Sequence, residues 1–248
     1  MPAAIRSPYL SPYLSLWLVL TAVLLSGSLF TLVSPATLEV WTGEAGVFEI
    51  GSAVGWFGLA AGLLALAFAG RDRRLCIPAG IIMLAFGMRE LDWHKAFTAD
   101  SMLKSNYYLD MPAPLMEKVI AASVVLGLLS LLGYLMVTFA LPLLRALRRH
   151  DAGALTLLNG VALLIFSKVV DRSVSVAGDD WGWLLPAWAE HLQRAVEEPL
   201  EFFLPIFFAL ALGQYLLARQ QPRGRYPLAA VSHHRPPVPV LTRLEQLR

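Results

Sequence analysis

Charged residues are scarce in this chain: they make up 15% of its 248 residues, whereas hydrophobic residues make up 57%. The mean hydropathy is +0.60, which excludes an ordinary soluble domain of this length. The formal net charge is only +2, and we expect no nucleic-acid partner. The composition instead predicts an all-α protein whose surroundings are a lipid bilayer.

Cysteine and histidine are also rare. Cys76 is the single cysteine, so no internal disulfide can form and no redox compartment can be inferred. A zinc site usually contains two or three histidines. Only His94 lies beside the acidic residues considered below, and His191 is the nearest other candidate. His233 and His234 are adjacent but have no further ligands near them in the sequence.

Six runs of low charge are long enough for membrane-spanning helices, which need about 20 apolar residues. They cover residues 14–33, 49–70, 76–94, 115–144, 153–172 and 198–217. They predict a polytopic bundle of six transmembrane helices that occupies residues 1–218. Residues 219–248 are rich in Arg and Pro and lack periodicity, which predicts a cytosolic and mostly disordered tail.

Positive and negative charges are segregated along the chain. The bases collect in the turns "RDRR" and "RALRRH", near the amino terminus and in the tail. All of the acids except Asp72, Asp151 and Glu245 fall on the other side of the predicted membrane. Because short cytoplasmic loops collect Lys and Arg, both termini are predicted to be cytoplasmic.

The stretch "RELDWHKAFT" places five ionisable residues at the end of an otherwise apolar run. A rise of about 1.5 Å per residue puts Arg89 roughly 20 Å, Lys168 roughly 22 Å and Glu201 roughly 24 Å above the cytoplasmic ends of their helices. Glu90 lies at the same level. A charge at this depth costs a few kcal/mol unless it meets a partner or water, so we expect these helices to share one polar site. Further charges lie about one turn higher: Glu49, Asp92, His94, Asp171, Arg172, Glu197 and Glu198.

Spacing within each predicted helix indicates which of these residues share a face. Arg89 aligns with Asp92, and Glu90 aligns with His94. Lys168 aligns with both Asp171 and Arg172. In "EEPLEF", Glu201 lies three and four residues after two other carboxylates, although Glu197, Glu198 and Pro199 are also typical of an ordinary helix start.

Pro205 removes the hydrogen bond that the carbonyl group of Glu201 would accept in a regular helix. An irregular backbone inside a membrane is tolerated where it lines a cavity or is buried in protein. The sequence therefore predicts that this part of the last helix forms one wall of the polar site.

Three classes of function remain open from these residues. One is a hydrolase or transferase acting on a lipid or lipid-linked substrate, with or without a divalent metal ion as cofactor. Another is a non-enzymatic assembly or regulatory subunit, partnered with another membrane protein and held together by a buried ionic latch. The third is a proton- or cation-coupled transporter.

These hypotheses assign the candidate residues to three roles. The catalytic candidates are Glu90, Glu201, Asp171 and His94. The binding candidates are Glu49, Arg89, Asp92, Lys168, Arg172 and Glu198. The metal candidates are Glu90, His94 and Glu201.

Three motifs carry a resemblance to a known group of proteins. The strings "EAGVFE" at 44–49, "RELDWHKAFT" at 89–98 and "EEPLEF" at 197–202 resemble the outer-face motifs of bacterial multi-pass membrane proteins of unknown role. The resemblance implies a multi-pass protein of the bacterial inner membrane, with the site facing the periplasm or exterior. A fainter likeness is to the membrane hydrolases that include alkaline ceramidases, in which Glu49, Ser52 and Asp171 would take site roles. The paired histidines of those enzymes are missing here, so their zinc chemistry is not carried over.

The charge segregation predicts the membrane topology. A reporter that is active only outside the cytoplasm should work when it is fused after Asp100 or Asp180. The same reporter should fail after Arg73, Arg149 or Arg223, because these positions follow the basic turns or lie in the basic tail. The reverse pattern would contradict the placement of every candidate residue.

Overall fold

The computed structural model describes residues 11, 13–43, 45–96, 98 and 101–220. These residues form helices and connecting turns, with no strand among them. The helices are α1 (Tyr13–Leu32), α2 (Pro35–Thr42), α3 (Val47–Phe68), α4 (Arg73–Glu90), α5 (Trp93–Ala96), α6 (Ser105–Leu109), α7 (Leu115–Arg148), α8 (Ala152–Ser175) and α9 (Ala187–Gln220), with a π-helical turn at Val176–Asp180. The all-helical prediction is confirmed for this part of the chain.

Five helical segments are long and apolar enough to cross a membrane. They are Tyr13–Leu32, Pro35–Phe68, Leu115–Arg148, Ala152–Gly178 and Ala187–Arg219. The remaining long helix, α4, has two charged residues at each end within its 18 residues, and it packs along α3. The chain is therefore an apolar helical protein of the kind that a bilayer accommodates.

The start of the last helix was predicted wrongly. α9 begins at Ala187 rather than 198, so Glu197, Glu198 and Pro199 lie inside a helix, and the interpretation as a helix start does not hold. The added segment "AWAEHLQRAVE" contains neither Gly nor Pro and is rich in helix formers. Its regularly spaced charges keep it out of the apolar run that follows, so the pattern of apolar residues did not predict it as part of the helix.

The end of α4 was also predicted wrongly. The helix ends at Glu90 rather than 94, because Asp92 adopts a left-handed conformation with φ 52°, which Asp tolerates better than most residues do. The shared faces predicted for Arg89 with Asp92 and for Glu90 with His94 are therefore lost. The predicted tail begins two residues later than expected because α9 continues to Gln220. The rest of the tail, with His233 and His234, lies outside the described residues.

α9 is the central helix of the bundle and packs against α1, α2, α3 and α8. A core of Trp56, Leu63, Met83 and Leu204 joins α3, α4 and α9, and Trp56 stacks on Phe86 with ring centroids 5.0 Å apart. α7 is peripheral: it contacts α4 and α8, and Ala121 is its only buried residue.

Small residues let α3 approach α9 closely. A Cβ on Gly51 would lie 2.6 Å from Phe202 Cε2, and a Cβ on Gly55 would lie 2.7 Å from Pro205 Cγ. Glycine at helix interfaces permits this close contact of backbones within membranes. The contact places the first turns of α3 directly against the proline of α9.

Substitution of Gly55 should test this contact. Gly55→Ala adds a methyl group against the rigid ring of Pro205, so the two helices must separate, and such overpacking costs about 1–3 kcal/mol. Gly58→Ala is the matched control, because no atom lies within 4 Å of its added Cβ and alanine favours a helix by about 1 kcal/mol. Thermal unfolding in detergent should give a lower Tm for the first variant only; equal Tm values would contradict the contact.

Candidate functional site

Most of the predicted polar residues meet at one end of the bundle. The α3–α4 and α8–α9 pairs each reverse direction, so the start of α3, the ends of α4 and α8 and the middle of α9 lie together. We call this group the charged cluster. It consists of Glu49, Arg89, Glu90, Lys168, Asp171, Glu197, Glu198 and Glu201.

Glu201 is the centre of the charged cluster. Its carboxylate forms an ion pair with the ammonium group of Lys168 and accepts a hydrogen bond from the hydroxyl of Ser167 at 3.1 Å. Its side chain is 12% exposed, whereas that of Lys168 is 32% exposed. The pair therefore joins α8 to α9 at a partly exposed site.

The backbone of Glu201 is bound as well. Pro205 has no N–H to donate to the Glu201 carbonyl group, and the hydroxyl of Ser52 donates to that oxygen at 3.3 Å. Ser52 is only 1% exposed, so this hydrogen bond is shielded from water. The carbonyl group that was predicted to be free is thus satisfied by α3. Contacts from α3 and α8 therefore meet at one residue of α9.

Glu90 extends the site to α4. Its carboxylate lies 3.8 Å from the guanidinium of Arg89, and its side chain is 9% exposed. Glu201 and Lys168 lie close enough to act on its carboxylate electrostatically. Glu90 therefore adds α4 to the helices that meet at this site.

More carboxylates surround this centre than there are bases to balance them. Asp171 lies 3.8 Å from the ammonium group of Lys168, and Glu197 interacts with Asp171. The amide of Gln193 donates to the carbonyl oxygen of Asp171 at 2.7 Å and lies 3.4 Å from the carboxylate of Glu197. Glu198 lies close enough to the other glutamates for their negative charges to repel its own.

Glu49 has a structural role within the charged cluster. Its carboxylate accepts a hydrogen bond from the backbone N–H of Ala45 at 2.6 Å. Ala45 has φ 62° and directly precedes the N-cap residue of α3. The carboxylate thus binds a donor at the positive end of the helix dipole.

Three predicted site residues are not shown to join the charged cluster. Asp92 pairs with Lys95 at 2.6 Å in an exposed turn. Arg172 is exposed at the end of α8, and no ion pair to it is found in the described part of the chain. The side chain of His94 lies outside the described residues. His191 contacts α1 instead, since its Nε2 lies 3.2 Å from the carbonyl oxygen of Phe30.

The predicted metal site has no support from these contacts. Among the described residues, no group of three His, Cys, Asp or Glu side chains is arranged to hold a metal ion. Glu201, one of the predicted ligands, binds an ammonium group.

Three contributors were missed or undervalued in the sequence. Ser52, Ser167 and Gln193 supply the neutral donors of the site. The signal for Ser52 was available, because a carbonyl group freed by Pro205 inside an apolar bundle requires a donor from a neighbouring helix. Nothing in the sequence indicated which helix would supply it.

A segment between the long helices is tied down beside the start of α7. The phenol of Tyr107 donates to the carboxylate of Glu117 at 2.8 Å, and Lys118 donates to the carbonyl oxygen of Tyr108 at 3.0 Å. Burial, and after it the hydrogen bond to Glu117, raises the pKa of Tyr107 to about 12. Tyr107 therefore remains a neutral donor at physiological pH.

Comparisons with known proteins find no matching family model, no similar curated protein and no similar solved structure.

Removing the hydroxyl of Ser52 should destabilise the fold. Ser52→Ala leaves the carbonyl group of Glu201 buried without its donor, which costs about 1 kcal/mol for an interhelical hydrogen bond in a membrane protein. Ser130→Ala is the matched control, because Ser130 is exposed and bonds only to its own helix, at Leu126. A lower Tm in detergent is expected for the first variant alone. If the control lowers Tm as much as Ser52→Ala, the hydrogen bond to Glu201 is not the cause.

Proposed function

We propose that this chain is a multi-pass protein of the bacterial inner membrane with six spans and both termini in the cytoplasm. α4 would be the sixth span: its 18 residues cover about 27 Å, and it lies along α3. Arg71 in the turn between them, with Arg73 and Arg74 at the start of α4, lies at the end opposite the charged cluster. Positive-inside sorting then favours a charged cluster that faces the periplasm. The resemblance to bacterial multi-pass proteins of unknown role is part of this proposal.

The geometry best supports a non-enzymatic assembly or regulatory subunit, in which the charged cluster is an ionic latch. One observation carries this proposal: Glu201 receives an ammonium group and two hydroxyl groups from Lys168, Ser167 and Ser52. These contacts link α3, α8 and α9 and leave the central carboxylate engaged by the protein itself. A latch of this kind fixes the relative position of the helices that it joins.

A second candidate is proton- or cation-coupled transport, which is favoured by the imbalance of charge. The charged cluster contains six carboxylates but only two bases, Arg89 and Lys168. Negative charge in excess near a hydrocarbon region must be balanced by protons, cations or water. This requirement is typical of sites that exchange protons or cations with one side of a membrane.

Hydrolysis or group transfer on a lipidic substrate has less support. It would use Glu201 as a ligand or base, yet that carboxylate is paired with Lys168.

Neutralising each member of the ion pair between Lys168 and Glu201 should distinguish the latch from a transport site. Lys168→Met leaves the carboxylate of Glu201 without its cation and should lower stability by about 2 kcal/mol, somewhat less than for a fully buried pair. Glu201→Gln leaves the ammonium group only the more distant carboxylate of Asp171, at 3.8 Å, and should lower stability by a smaller amount. The double variant removes both charges and should regain much of the lost stability. Arg172→Met, on the same helix but exposed, is the control.

The measurements are Tm in detergent and complementation of a deletion strain. A latch predicts that function follows stability through all four variants. A Glu201→Gln protein that is as stable as wild type but inactive would overturn the latch and favour transport. Four variants with unchanged Tm and unchanged function would show that the charged cluster has neither role.

A further inference from the structure

An apolar cavity of about 280 Å³ lies at the other end of the bundle from the charged cluster. Its walls come from α3, α4, α7, α8 and α9 and include Met83, Phe139, Leu157 and Phe208. It exists because α7 is buried only at Ala121, near its beginning, and packs loosely along the half that ends at Arg148. Pro142, on the wall formed by α7, is exposed, so the cavity is not sealed from its surroundings.

The polar groups of the cavity lie at the arginine-rich end. Asp151 and Tyr215 are the two polar side chains among the residues that line it. A cavity with apolar walls does not retain ordered water, and much smaller apolar cavities stay dry or take up apolar molecules. The occupant that fits these walls is a hydrocarbon chain with a polar group at one end.

The acids near this end already have partners. Asp72 accepts a hydrogen bond from Tyr215 at 2.5 Å and pairs with Arg219 at 2.6 Å. Asp151 accepts a hydrogen bond from the backbone N–H of Ala154 at 3.1 Å as the N-cap of α8. Arg219 therefore balances the charge of Asp72, and the charge of Asp151 is directed to the positive end of the α8 dipole.

Several arginines lie at the same end. Arg74 adjoins the cavity residue Leu75, Arg145 and Arg148 lie in the last turn of α7 beside the cavity residue Ala146, and Arg149 directly follows that helix. All four arginines are exposed, and no ion pair to them is found within the described ranges. Guanidinium groups bind phosphate oxygens in pairs, and basic pockets between membrane helices bind anionic lipid head groups.

We propose that this cavity binds one acyl chain of an anionic phospholipid, with the lipid phosphate held by Arg74 at the start of α4 and by the arginines at the end of α7. The apolar walls select a hydrocarbon chain, and the exposed guanidinium groups select a negative head group. The proposal requires only that the chain lies in a bilayer and is independent of the ionic latch.

The test uses the purified full-length protein in detergent with phosphatidylglycerol, phosphatidylcholine or inorganic phosphate. Bound lipid is counted by native mass spectrometry, and Tm is measured with each addition. We expect one phosphatidylglycerol to remain bound and to raise Tm, whereas phosphatidylcholine should bind on the order of tenfold more weakly or worse. Inorganic phosphate alone should not compete at comparable concentration.

Two sets of variants separate the head-group site from the cavity. The triple variant R145Q/R148Q/R149Q should weaken phosphatidylglycerol binding by on the order of tenfold or more. The triple variant K95Q/K104Q/R194Q, which removes bases at the opposite end, should not change it. Ala146→Phe fills the cavity from α7 and should abolish lipid retention.

Ala140→Phe is the control for the cavity variant, because Ala140 lies on the same helix but does not line the cavity. Unchanged lipid binding in Ala146→Phe or in the arginine triple variant would overturn the proposal, as would equal binding of phosphatidylcholine. Competition by inorganic phosphate would instead indicate a free-anion site. A dimer that holds no lipid and is lost in Ala146→Phe would assign the cavity to a second copy of this chain.

Discussion

The carbonyl group of Glu201 imposes the central constraint on this bundle. Pro205 deprives it of its helical donor, and an unsatisfied backbone group away from water is expensive. Ser52 supplies the replacement donor at 3.3 Å, which requires α3 to lie very close to α9. The glycines at positions 51 and 55 permit that approach. Because α4 follows α3 after a short turn, Glu90 is then brought to the same place.

The charge pairs are arranged around this contact. Lys168 and Ser167 approach the side chain of Glu201 from α8 while Ser52 holds its backbone from α3. One residue of α9 thus receives donors from two of its neighbours, α3 and α8. Four of the remaining carboxylates, Glu49, Asp171, Glu197 and Glu198, are partly exposed, and unbalanced charge costs less at such positions than at a buried one.

A constant rise per residue led to the expectation that charges from several helices share one level, and Glu90, Lys168 and Glu201 do lie near one another. The depth of these charges in a membrane stays a prediction, and their direction around each helix could not be predicted. Periodicity alone does not say which face of α8 meets α9, so Arg172 was expected in the site although it is exposed.

The ends of two helices, α4 and α9, were also not predicted. The left-handed turn at Asp92 cuts α4 short, and a single Asp in a charged stretch gives no clear stop signal. α9 extends back to Ala187 because helix formation depends on propensity and packing as well as on hydrophobicity. The apolar character of the long helices was predictable, since composition alone excludes most soluble folds.

The unequal packing of the helices has an evolutionary consequence. α7 has one buried residue, so drift among apolar residues over most of its length should be nearly neutral where lipid solvates the side chains. The α3–α9 contact allows no such freedom: a side chain at position 55 is compatible with the fold only if position 205 changes as well, and the same holds for positions 51 and 202. Among related chains, these two pairs should vary together or not at all, while α7 should retain its hydrophobicity and little of its sequence.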